Sequence, residues 1–337
     1  MTEKHYGGSS SFGAKNTKVK PIKQTNIEQK QKKDKPQEKN TKMEFEGYSE
    51  IIKAGQIASQ ARAYALSIAK KGVPLLELAE KIESKIIELG GKPAFPVNLS
   101  INEVAAHDTP SHDDKRVAFG LLKIDLGVHI QGWIADTAVS VDLENSELNK
   151  KLIKNSQDSL SNALKIVNAE ISLGEIGKTI ENTTKKENFL PIHNLSGHSI
   201  EHYDLHAGMM VPNYDTKQPH KMEEGLFAIE PFVTNGSGSV RDSRMSGIYA
   251  VQKAGSVRDS FAREVLTFIA EEYISLPFSS RWLVKKFGTR ALIALKQIEQ
   301  AGILHQYPML VEQGNGIVAQ SEHTILIKDG KVIVTTL

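Results

Sequence analysis

The chain has 337 residues, enough to bury a substantial core, with 39% hydrophobic residues, 11 histidines and no cysteine. Without cysteine, disulfides, thiolate catalysis and cysteine-ligated zinc are excluded, and no apolar run approaches the roughly eighteen residues of a membrane span. The net charge of +2 conceals an asymmetry, because residues 1 to 43 carry eleven lysines against four acids (Glu3, Glu28, Asp34 and Glu38), about +7, leaving the remainder near −5.

That first stretch, with GGSSSFG and QKQKKDKPQEKNTK, has no periodic apolar residues to offset the entropy of ordering, so residues 1–43 are expected to be a disordered lysine-rich tail. Its lysines suit phosphate attraction, which weakens steeply with salt; a solvated arm without a partner is the plainer alternative. No apolar h-region is present, so a cytoplasmic rather than an exported protein is expected. Residues 44–337 then read as the folded part. A helix is predicted over 47–71, ending near Gly72, and a second over 74–89, with Pro74 at its start and Gly90-Gly91 as its stop.

KIDLGVHIQGWIADTAVSV follows and reads as a β-hairpin around Gln131-Gly132. Pairing Ile130 with Trp133 sets Asp136 opposite Gly127, two residues from Asp125. Paired residues share a face, so the two aspartates project together as diagonal neighbours. Two carboxylates on one apolar hairpin repel unless protonated or held by a cation. A further helix is predicted over 146–168 from Leu148, Leu152, Ile153, Leu160, Leu164 and Ile166. Three more ligand types lie downstream: His198 in SGHSIEH, Glu230 in LFAIEPF and Glu322 in AQSEHTILI. Both glutamates interrupt strand-like apolar runs, where a lone carboxylate is costly. Four carboxylates and one imidazole suffice for two divalent ions, and the thiolate-free set suits Mn, Fe, Co or Zn. His323, next to Glu322 in a strand, points to the opposite face and is left out of the set.

Between Glu230 and Glu322, residues from about 238 to 302 read as an insert of short helices, with LIALKQIEQAGIL stopped by Gly302. Its pattern is winged-helix-like, and Arg281, Lys285, Lys286 and Arg290 add positive charge. A structural lid is the preferred role over nucleic-acid binding. The interleaving of helices with antiparallel strands makes the fold α+β rather than doubly wound. GSGSVRDSR is glycine-rich, but no GxxxxGK or strand-associated GxGxxG is present, so a nucleotide enzyme has no support.

The segments AFPVNLSINEVAAHDTP, KIDLGVHIQGWIADTAVSV, NLSGHSIEHYDLHAG, FAIEPF and QSEHTILI, in this order, resemble the type II methionine aminopeptidases of archaea and eukaryotes. The resemblance covers residues 44 to 337 and implies a pita-bread fold, two related α+β halves around a dinuclear metal centre. It assigns Asp125 to one ion, Asp136 and Glu322 to both, and His198 and Glu230 to the other, with an acidified bridging water as nucleophile. It makes Glu230 the proton acceptor as well. His107 and His206 match the family's two non-ligand histidines, which contact the scissile amide and steady the tetrahedral intermediate. Phe95 and Tyr307 match the walls of the methionine slot, where sulfur–ring contacts contribute roughly 0.3–1.5 kcal/mol each. His112, the Asp113-Asp114 pair, His193 and His202 match no functional position. The resemblance implies removal of the initiator methionine from nascent polypeptide N-termini when the second residue is small. Its eukaryotic members, which carry basic extensions and act beside the ribosome, suggest the ribosome as a partner for the tail, which short archaeal members largely lack; a monomer is expected. A proline-directed aminopeptidase or dipeptidase of the same fold shares the five ligands. The NLSINEVAAH and YDLHAG segments and the long insert favour methionine. A non-enzymatic RNA- or ribosome-binding relative is the third reading, opposed by the presence of every ligand.

Overall fold

The computed structural model describes residues 46–337. The lysine-rich tail read over 1–43 lies outside the described residues. Helix α1 (Tyr48–Ile68) and helix α2 (Leu75–Glu88) come first, and each falls inside its predicted span. The buried face of α1 is Ile51, Ala54, Ile57, Ala58, Ala61 and Ala65, mostly alanines, which let a helix lie close on a sheet. That sheet is built on the strand Leu121–Ile130, which pairs antiparallel with Trp133–Asp142, Asn98–Ile101 and Lys92–Pro93. The helix pair and the sheet enclose one core, from Ile57 and Leu78 to Leu122 and Val128.

The same plan recurs. Helix α3 (Glu147–Ile166) is capped by Ser146, whose side chain accepts from the Asn149 N–H, and helix α4 (Leu173–Lys186) opens on a Ser172/Glu175 capping box. The periodicity reading leaves α4 unassigned, although this box marks its start. The second helix pair covers a five-stranded sheet in which Gly225–Ile229 lies between Ser196–Ile200 and His323–Lys328, flanked outside by Met210–Pro212 and Lys331–Val334. Leu160, Ile176, Phe227 and Ile325 belong to its separate core.

A three-stranded sheet joins Leu190–Pro191, Phe232–Thr234 and Val318–Gln320. In the remaining sheet Leu304–Glu312 lies between Val104–Ala106 and Val240–Val251, which also pairs with Phe278–Ser279. Between Val240–Val251 and Leu304–Glu312 lie helix α5 (Ser260–Glu272), helix α6 (Ser280–Phe287) and helix α7 (Ala291–Gln300), around a small core of their own that includes Val265, Ile269, Leu283 and Leu295. In the region predicted as an insert the helices therefore run from Ser260 to Gln300, preceded by the strand Val240–Val251 and an irregular connection over 252–259.

Two buried carboxylates hold this region in place. Glu83 of α2 accepts from Arg281 of α6 at 2.7 and 2.9 Å and from the Trp282 indole N–H at 2.9 Å. Arg281 also donates to the Pro110 carbonyl at 3.0 Å. Glu312 is wrapped by the glycine-rich run: it accepts from the Ser237 and Gly238 N–H groups, the Ser237 hydroxyl and the Gly316 N–H. A Cβ on Gly236 would lie 2.4 Å from its carboxylate. The GSGS turn thus cradles an anion of its own chain, not a nucleotide phosphate.

Candidate metal centre

The hairpin has the predicted register. Ile130 pairs with Trp133 and Gly127 with Asp136, and Gln131 (φ 50°) with Gly132 (φ 89°) makes a turn with both central residues at positive φ, the two-residue geometry that keeps strand twist. Asp125 and Asp136 therefore share a face. Gly127 is required there for space: a Cβ would stand 2.3 Å from the Phe95 ring. The two glutamates occupy equivalent breaks. Glu230 lies between Gly225–Ile229 and Phe232–Thr234, and Glu322 between Val318–Gln320 and His323–Lys328. At each break the chain leaves one sheet for the other. Because Phe232 pairs with Gln320 and Ile229 with His323, the two breaks lie side by side. His198 comes from the strand Ser196–Ile200, which pairs with the same central strand.

These elements deliver Asp125, Asp136, His198, Glu230 and Glu322 to one cavity of about 220 Å³, whose wall also holds Phe95, His107, His206 and Tyr307. The halves are stitched together directly behind it. The Asp136 N–H donates to Thr324 Oγ1, Thr324 Oγ1 donates to the Asp136 carbonyl, and the Glu322 N–H donates to the Ala138 carbonyl. One ligand atom each from Asp136, His198 and Glu322 lies within 4.8 Å of the others. Asp125 and Glu230 are joined through Gln320, whose Nε2 donates to Asp125 at 3.4 Å and to Glu230 at 3.3 Å.

The electrostatics ask for a cation. Burial pushes the Asp125 carboxyl up to about 7. Asp136, Glu230 and Glu322 are raised well above the usual carboxylate range, by burial first and then by one another's charge and that of Asp125. The His198 imidazole is lowered to about 3, chiefly by burial. Its Nδ1 lies 3.3 Å from the Ser199 carbonyl, which fixes Nδ1–H as the donor and leaves the Nε2 lone pair facing Asp136 at 3.8 Å and Glu230 at 3.7 Å. Lone pair against carboxylate is repulsive until a positive ion stands between them. Asp125 Oδ1, Asp136 Oδ1 and Glu322 Oε2 are buried and have no hydrogen-bond partner among the described residues. An oxygen-rich set with one neutral imidazole and three orphaned buried oxygens fits a divalent metal.

The outer ring of the cavity is aromatic and imidazole. The His107 and Tyr307 rings meet edge to face at 5.5 Å, and those of His198 and His206 at 4.4 Å. Burial, more than any neighbouring charge, lowers His107 to about 4 and lowers His206 as well, so both are neutral. His107 Nδ1 lies 3.3 Å from the Pro308 carbonyl, leaving Nε2 as an acceptor. His112, His193 and His202 are not on this wall; each meets nearby loop groups, such as the Gly238 carbonyl for His193 and the Gln131 carbonyl for His202. Sequence reasoning missed Gln320 and Asn98, which both hydrogen-bond Asp125 and oppose its upward shift. Their positions inside QSEHTILI and AFPVNLSINEV were the available signal.

The sequence profile of metallopeptidase family M24 matches residues 49–329. The chain belongs to metallopeptidase family M24. It is 45% identical over 298 residues to the methionine aminopeptidase of Methanocaldococcus jannaschii, covering 87% of this chain and all of that one. It is 48% identical over 291 residues to the methionine aminopeptidase of Pyrococcus horikoshii, covering 85% and 98%. Among solved structures, the methionine aminopeptidase of Thermotoga maritima superposes with a TM-score of 0.61 at 21% identity, over 86% of this chain and 95% of that one. The fold is thus the family's pita-bread arrangement, its two helix-covered halves being those described above. As an M24 member the chain is a metallopeptidase that uses divalent metal.

Proposed function

We infer that the cavity removes methionine from the N-termini of polypeptides. The observation that carries this reading is the meeting, in one small cavity, of a cation-demanding carboxylate–imidazole cluster with two neutral histidines and the aromatic walls Phe95 and Tyr307. Among M24 relatives of near-complete coverage, those at 45% and 48% identity are methionine aminopeptidases.

Asp125, Asp136, His198, Glu230 and Glu322 would hold the metal, with donors enough for two ions. Mn, Fe, Co and Zn all suit these ligands. Bound there, divalent metal polarises the scissile carbonyl and makes a water acidic near neutral pH. Glu230 takes the proton of the attacking water and delivers it to the leaving amine nitrogen. Neutral His107 accepts at Nε2 from the scissile amide N–H, and neutral His206 donates to the carbonyl oxygen as charge develops on it. Phe95, 6% exposed and packed on Gly127, forms a fixed wall for an unbranched thioether, and Tyr307 lines the same cavity. The confined cavity favours a small second residue.

The deciding experiment is methionine release from a Met-Ala-Ser peptide by chelator-stripped protein supplied with Mn, Fe, Co or Zn, beside the Glu230→Gln variant. Activity that returns with metal and is lost in the variant is expected. Cleavage of Xaa-Pro peptides instead would transfer the site to proline-directed chemistry, and inactivity of folded protein with every ion would sink the peptidase reading. Nascent chains are the expected substrates, met in the cytoplasm by a monomer whose lysine-rich tail contacts the ribosome. Salt-dependent co-sedimentation with ribosomes, lost on deleting residues 1–43, is the result that reading requires.

A further inference from the structure

We propose that a second cavity, on the far side of the metal-bearing strands, binds a small carboxylate carried on an apolar body. The cavity has a volume of about 530 Å³ and lies between α1, α3, the strand that carries Asp136 and the chain break that holds Glu322. Glu322 and His323 alternate along the chain, so His323 faces away from the metal cluster and onto this wall.

Arg62 of α1 is its centre. Nη1 donates to Thr137 Oγ1 at 2.7 Å and to His323 Nδ1 at 3.1 Å. Among the described residues no carboxylate lies within ion-pair distance of Arg62, and its Nε and Nη2 groups have no acceptor. Those two nitrogens form the side-on edge of the guanidinium, the fork that fits both oxygens of a carboxylate. A partly buried guanidinium stays charged, so its lack of a counter-ion leaves a fixed positive site. His323 Nδ1 lies 2.8 Å from Thr336 Oγ1 and 3.1 Å from Arg62 Nη1; since Arg62 can only donate, Nδ1 is an acceptor and the proton sits on Nε2, which has no partner among the described residues. Lys165 on α3, which among the described residues bonds only Asn162, adds a second positive charge to the wall. Among the described residues the acidic groups on this wall are Glu322, whose carboxylate belongs to the metal cluster, and the terminal carboxylate of Leu337, which makes no ion pair with Arg62.

The rest of the wall is mixed: Leu160, Leu164, Val139 and Val334 give it an apolar stretch beside the charged groups, with Gln157, Ser161 and Ser321 as its polar members. A bare inorganic anion would leave that surface wet, whereas an acyl carboxylate covers it while its head meets Arg62. The site is also wired to the metal-bearing strands. Thr137, which follows Asp136, accepts from Arg62 and donates to the Glu322 carbonyl at 2.9 Å. A carboxylate that draws on Arg62 therefore acts on the backbone between two of the metal ligands, without entering the catalytic cavity.

Calorimetric titration of hexanoate into the metal-loaded full chain tests this, with inorganic phosphate and hexanol as parallel titrants. Hexanoate is expected to bind more tightly than either. Arg62→Met should weaken it by at least about tenfold. Leu164→Trp, which fills the cavity and leaves Arg62 intact, should do the same, and circular dichroism establishes that each variant is folded. No binding to the wild type, or affinity unchanged in a folded variant, overturns the proposal by placing the carboxylate elsewhere, on the metal centre included. Phosphate binding as tightly as hexanoate overturns the assigned ligand class.

Discussion

Glu83, Glu312 and Glu322 are all buried glutamates, and they lie in opposite electrostatic situations. Glu83 meets a bidentate arginine and an indole N–H, and Glu312 meets three backbone N–H groups and a hydroxyl. Burial alone would raise Glu312, yet these donors outweigh it and its carboxyl is lowered. Glu322 has an orphaned oxygen and three other carboxylates for company, and it is raised. A carboxylate with a full set of donors is a structural fastener, whereas one left short of them in a cluster marks where positive charge must come from outside the chain. The difference separates the Glu83–Arg281 latch from the candidate metal centre more reliably than burial does.

The comparison breaks most visibly under mutation of the cluster. Asp136→Asn should reduce kcat/KM for a Met-Ala-Ser peptide by about 10²–10⁴-fold, the usual span for a lost catalytic group, and should raise the melting temperature of the chelator-stripped protein by relieving like-charge repulsion. A variant that is less stable than wild type in the stripped state would count against the repulsion argument. The latch behaves oppositely. Arg281→Met leaves the Glu83 charge buried without its partner and should cost roughly 3–5 kcal/mol in denaturant unfolding; Glu83→Gln/Arg281→Met together should recover part of that loss.

Metal removal discriminates the two regions on a smaller scale. Ligand-bound protein gains about 2.7 kcal/mol at a metal concentration one hundred times the dissociation constant, so chelation should lower the melting temperature of the wild type. In Arg281→Met the same drop should be seen, because the latch and the cluster share no residue. A loss of metal-dependent stabilisation in that variant would show that the insert participates in holding the centre.

The smallest effect is a pH dependence on the latch side. His129 lines a surface cavity with Glu83 and Arg281, accepts from the Gly132 N–H at 3.0 Å, and is lowered to about 4 by burial and then by the charge of Lys92. The unfolded chain protonates this imidazole first as pH falls. Its contribution to stability is therefore intact above the ordinary histidine value near 6.5 and is lost between there and about 4. His129→Asn, which keeps an acceptor for Gly132, should flatten that part of the acid stability profile while leaving peptide cleavage at neutral pH unchanged.

Much of the centre was legible before any coordinates. The hairpin register around Gln131-Gly132 follows from a period of two and a turn that tolerates positive φ, so the shared face of Asp125 and Asp136 is a local property of the chain. The helices over 48–68, 75–88 and 147–166 likewise follow from periodicity, proline and glycine punctuation and a serine cap. His198, Glu230 and Glu322 were legible as residue types out of keeping with their apolar neighbours, and their order added the family resemblance. What the sequence could not contain is the meeting of strands distant along the chain. Glu230 and Glu322 converge because two chain segments cross between the same pair of sheets side by side, and Gln320 joins Asp125 to Glu230 through that crossing. The satisfaction of Glu83 and Glu312, and the empty fork of Arg62 behind the metal strands, were decided by the same kind of long-range packing. Solvation, donors and counter-charges at a buried group are set by what folds against it, and only the tertiary structure carries that information.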